Sequence, residues 1–129
     1  MRHFILLTAI LFSPAAFADQ PSDPFAKPNY LNAHFCIGQA QVFADLVGQT
    51  SHRSKAGEAR LLLQKLTSRA RQLETRYKLK GSGEEEAEQK GGRTMAGLLP
   101  ASGTWAKGGA DIPIEAIRHY QQCASLVGM

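Results

Sequence analysis

The chain has 129 residues, with 15 Lys plus Arg against 11 Asp plus Glu, 43% hydrophobic residues and 20% charged residues. These are globular proportions, and they exclude a wholly disordered chain, a collagen-like repeat and a histone-like polycation. The length suffices for one small domain with one core.

Met1-Arg2-His3 leads into an apolar run from Phe4 to Phe12, a break at Ser13-Pro14, and Ala16-Phe17-Ala18 before Asp19. This order predicts a secretory signal peptide over residues 1–18, cleaved after Ala18. The run is far short of the ~20 apolar residues that a spanning helix needs, so the mature product is expected not to span a membrane. Cys36 lies too far along the chain to carry a lipid anchor. A periplasmic or secreted location follows, and losing Arg2 lowers the formal net charge from +4 to +3.

Residues 19–28 hold three of the six prolines and read as an extended leader, because proline lacks an amide donor and restricts the residue before it. A single helical domain is expected over 29–129. Its first helix runs from about Asn29 to Val47 on the recurrence of Leu31, Phe35, Gly38, Val42 and Leu46, with Cys36, Phe43 and Val47 widening the face and Gly48 placed to end it. On this projection His34 falls on the polar face with Gln41 and Asp45.

The second helix has the clearest pattern: Ala59, Leu62, Leu63, Leu66, Ala70, Leu73 and Tyr77 share one arc, and Gly81 is expected to stop it. Lys65, Arg69, Arg76 and Lys80 fall on one flank of that arc, and Arg60, Arg71 and Lys78 on the other. The turn at Gly81 is expected to bring part of this charge against Glu84 to Glu88. Ser82-Gly83-Glu84-Glu85 has the spacing of a capping box, which starts a third helix. Gly91-Gly92 weakens that helix by about 1 kcal/mol per glycine relative to alanine, so it is expected to fray or break. A Gly-rich loop follows at about 92–110. Asp111-Ile112-Pro113 opens the last helix, whose face is Ile112, Ala116, Ile117, Tyr120, Cys123, Ala124 and Val127.

No stretch alternates at period two for long enough to form a strand. The fold class is therefore all-α: a small up-and-down helical bundle of three strong helices and one weak or broken one. The only two cysteines, Cys36 and Cys123, fall on the first and last helices, which share an end in such a bundle. An exported chain favours joining them as a disulfide. The competing reading is a metal site, in which His34, Cys36, His119 and Cys123 offer imidazoles and thiolates, although His34 and Cys36 lie about 200° apart around a helix. Haem held between His119 and Met95 is a further alternative on residue type.

The chain contains no G-x-S-x-G, S-x-x-K, H-E-x-x-H, Walker or calcium-loop motif, and no C-x-x-C-H. The expectation is a non-enzymatic envelope binding or accessory protein without a cofactor. Its partner is expected to be another envelope or secreted protein, or an anionic surface, and not nucleic acid. Candidate contact residues are Trp105 in its glycine-flanked loop, which either plugs the bundle or anchors a partner, and the basic flank Lys65, Arg69 and Arg76.

Overall fold

Asp23 turns the chain into its first helix: its side-chain Oδ1 accepts from the Phe25 amide at 2.9 Å, and its carbonyl accepts from Ala26 at 3.1 Å. Helix α1 then runs over Ala26–Val47 in the computed structural model, which describes residues 22–99 and 111–129. The signal peptide expected over 1–18 and the tip of the Gly-rich segment, with Trp105, lie outside the described residues. The leader is shorter than expected, since Pro28 sits inside the first turn of α1. A helix leaves its first amides unpaired, so a proline there forfeits no hydrogen bond.

Helix α2 spans Arg53–Tyr77 and stops three residues before Gly81 is reached. Lys78 takes the left-handed conformation (φ 54°), and the Leu79 amide closes back onto the Glu74 carbonyl at 3.1 Å. Gly81 and Gly83, at φ 83° and 107°, then shape the turn into α3, Glu84–Leu98. Helix α4, Ile114–Ser125, begins at Pro113. The described residues contain these four helices and no strand, and none of the helices is long and apolar enough to cross a membrane.

Helix α1 is the centre of the molecule. It packs mainly on α2 and α3, and more lightly on α4. Tyr30, Ala33, Ile37, Ala40, Phe43, Ala44 and Val47 are buried, whereas Leu31, Val42 and Leu46 are only partly so. The stripe read from the sequence is thus one margin of a helix covered on most sides. A central helix has apolar residues all round it, so no single arc defines its face. The faces of α2 and α4 are as expected, with Ala59, Leu62, Leu66, Ala70 and Leu73 buried on one and Ile112, Ala116, Tyr120, Cys123 and Ala124 buried on or beside the other.

Helix α3 is continuous through Gly91-Gly92, where a break was expected. A Cβ added to Gly91 would stand 1.9 Å from the Phe35 carbonyl oxygen, and one added to Gly38 would stand 2.0 Å from the Glu88 carbonyl oxygen. The two backbones therefore touch, and only glycine permits it. The close packing of α3 on α1 offsets the propensity cost of about 1 kcal/mol per glycine. Tyr30 meets Glu84 and His34 meets Glu88, each pair 54 residues apart, while Gly38 lies against Glu88 and Gly92. Advancing four residues on each helix at every step makes α1 and α3 parallel.

Cys36 and Cys123 form a disulfide with Cα atoms 5.5 Å apart, joining the first and last helices. Tyr120 packs over Phe43 with ring centroids 4.8 Å apart, completing the α1 to α4 contact.

Candidate binding surface

The charged side chains sort into two groups according to what holds them. The first group is an inward cluster at the start of α1. The buried Tyr30 hydroxyl lies 2.6 Å from Glu84 Oε2 and 2.7 Å from Glu74 Oε1, so one phenolic proton serves two carboxylates and ties α1 to both α2 and α3. Glu84 also accepts from the amides of Gly81 at 2.8 Å and Gly83 at 3.3 Å. The Tyr30 hydroxyl, followed by the amides of Glu84 itself, Gly81 and Gly83, holds the Glu84 carboxyl down at about 2 against an ordinary 4.5. Burial, reinforced by the two carboxylates, pushes the Tyr30 phenol far above its ordinary range.

The expected capping box is therefore replaced. Gly83 is the N-cap of α3 and no side chain caps it; Glu84 itself reaches back to the turn. One turn further on, His34 Nδ1 lies 2.5 Å from Glu88 Oε2. His34 is half-buried between helices rather than on a polar face, and its Nε2 is buried without a hydrogen-bond partner among the described residues. With Glu74, Arg71 and Thr67 these two residues line a cleft of about 320 Å³ between the first three helices.

The second group is the outer surface of α2. Arg60, Lys65, Arg69, Arg71, Arg76, Lys78 and Lys80 are all exposed. Among the described residues, none of these seven cations has a carboxylate within 4 Å. The sequence suggested that the Gly81 turn would neutralise this charge. Instead Glu84 and Glu88 are drawn toward α1 by Tyr30 and His34. Arg71 still shares the central cleft with Glu74 and Glu88, and Lys80 lines a second one with Glu84 to Glu86. Arg76 instead lies over the Tyr77 ring at 5.5 Å and, with Arg71, borders a shallow groove of about 380 Å³ floored by Ser68, Gln72 and Thr75.

The structure thus brings Lys65, Arg69 and Arg76 onto one face, while Trp105 falls outside the described residues. Among the alternative metal residues, Cys123 is bound to Cys36 and Met95 is fully buried. His119 Nδ1 accepts from Gln39 Nε2 at 2.8 Å, and the Gln39 carbonyl oxygen stands 3.1 Å from Cys123 Sγ. Gln39 is the buried polar residue of the core, and its amide is spent on this α1 to α4 link. The described residues contain no group of three or more His, Cys, Asp or Glu placed to hold a metal ion.

Sequence reasoning missed the Tyr30 cluster, although a signal was present. Tyr30 and His34 stand four apart on one helix, and Glu84 and Glu88 stand four apart on another, so each pair occupies one helical face. Compared with protein-family models, curated proteins and solved structures, the chain matches none of them.

Proposed function

We propose that the chain is an exported, non-enzymatic binding protein of the bacterial envelope that takes an anionic partner on the outer face of α2. The observation that carries this reading is the exposed row Lys65, Arg69 and Arg76, which among the described residues has no carboxylate within 4 Å although α3 begins with Glu84, Glu85 and Glu86 close by in the chain. Like charges gathered on one face repel, and an anionic partner turns that repulsion into attraction. The disulfide fits an oxidising compartment and supports export.

The test is affinity capture from an envelope extract with the mature wild-type protein and with Lys65→Glu/Arg69→Glu/Arg76→Glu. The wild type is expected to retain acidic components that salt elutes, and the variant is expected to lose them while melting as the wild type does, since the three side chains are exposed. Equal capture by both proteins would remove α2 as the contact face.

A further inference from the structure

The basic row of α2 ends beside exposed apolar side chains. Arg69 lines a small cleft of about 110 Å³ together with Asn29 and Ala33 of α1 and Leu126 just past α4. Leu126 is 42% exposed. The Asn29 amide donates to the carbonyl of Phe25, which places Phe25, 68% exposed, one turn away on the same helix. The Met129 amide donates to Ala124, folding Met129, 46% exposed, back over the end of α4. Because α1 and α2 run antiparallel, with Tyr30 against Glu74 and Gly48 against Ala56, Arg76 also belongs to the end of the bundle where α1 begins. This end of the molecule therefore presents three separate apolar projections beside Arg69 and Arg76, and Lys65 continues the row one turn back along the same face of α2.

We infer that this end and the adjoining face of α2 dock on an anionic phospholipid bilayer, with Phe25, Leu126 and Met129 entering the interface and Lys65, Arg69 and Arg76 reaching the phosphates. The inference rests on the reading of α2 as the contact face and names the partner. Charge complementarity selects an anionic occupant. The form of the apolar groups selects a lipid surface over a folded protein: they stand as isolated projections flanked by long basic side chains, an arrangement that suits a fluid interface. Each cation near an anionic bilayer strengthens attachment, and salt weakens it.

Vesicle co-sedimentation tests this with the mature protein and two vesicle compositions, equal parts phosphatidylglycerol and phosphatidylcholine, and phosphatidylcholine alone. The protein is expected to sediment with the first at low ionic strength and not with the second. Lys65→Glu/Arg69→Glu/Arg76→Glu is expected to lower the partition coefficient on the order of a hundredfold. Phe25→Ser/Leu126→Ser is expected to lower it several-fold with the cations intact. Both variants change exposed side chains, and circular dichroism confirms that they fold. Failure to sediment with the anionic vesicles overturns the lipid assignment, as does sedimentation that the Phe25→Ser/Leu126→Ser variant leaves unchanged. Charge-dependent capture of a soluble acidic protein without vesicle binding overturns this inference and leaves the binding-protein reading standing; loss of both overturns both.

Discussion

The hydroxyl of Tyr30 is a small group with a large structural reach, because it is the donor shared by Glu74 of α2 and Glu84 of α3. Tyr30→Phe leaves the two carboxylates facing each other with no proton between them. It is expected to destabilise the protein by about 1–2 kcal/mol, read as a lower urea midpoint at unchanged slope. The same site sets an acid limit. The Glu84 carboxyl is held at about 2 in the folded protein against an ordinary 4.5, so in that interval the unfolded chain binds the extra proton and stability falls as the pH drops from 4.5 toward 2. Above 4.5 the contribution is complete. Glu84→Gln is expected to lower stability at neutral pH and to flatten this part of the curve. Urea midpoints of both proteins at a series of pH values check it, and parallel curves would show that Glu84 is not the titrating group.

At the scale of the elements, the glycines separate into those that fill a contact and those that merely tolerate solvent. Gly57 of α2 has open space where a Cβ would go, whereas Gly91 of α3 has the Phe35 backbone there. Gly57→Ala is expected to raise stability by about 0.5–1 kcal/mol through propensity alone. Gly91→Ala is expected to cost roughly 1–3 kcal/mol or more, because two helix backbones must move apart. Thermal melts of the two variants should shift in opposite directions. This contrast also explains what was legible in the chain. The faces of α2 and α4 follow from local periodicity, because each of these helices buries one stripe, whereas α2 ends at its cap Lys78 and not at the expected Gly81. Propensity scored Gly91-Gly92 as a weakness, since its compensation lies on a segment more than fifty residues away. The same distance hid the Tyr30 cluster: the spacing of four was visible on each helix and an up-and-down bundle makes the two helices parallel, but nothing local fixed their register. The basic row of α2 was legible, and the diversion of the glutamates away from it was not.

For the whole molecule, the disulfide carries more than its share because α4 is the helix least embedded in the rest. Its other ties to α1 are Tyr120 on Phe43 and the Gln39 to His119 hydrogen bond. Linking residues 87 apart stabilises the fold by about 4–5 kcal/mol in the chain-entropy model, a large fraction of the ~5–15 kcal/mol typical of a domain. The double variant Cys36→Ser/Cys123→Ser is therefore expected to melt roughly 15–40 °C below the wild type. The loss should also be uneven. Helices α1, α2 and α3 keep their mutual packing, the glycine contact and the Tyr30 bridge, whereas α4 keeps its light apolar face, the Gln39 bond and the Lys55 ammonium over the Tyr120 ring at 5.9 Å. Hydrogen exchange on the variant should then show α4 opening with a smaller free energy than the other three helices, while in the wild type the cross-link holds them closer together. Uniform acceleration over all four helices would mean that α4 folds as one unit with the rest. Because Leu126 and Met129 stand at the end of α4, the same release would detach two of the three apolar projections from Phe25, and vesicle binding should weaken on reduction even though every cation of α2 remains in place.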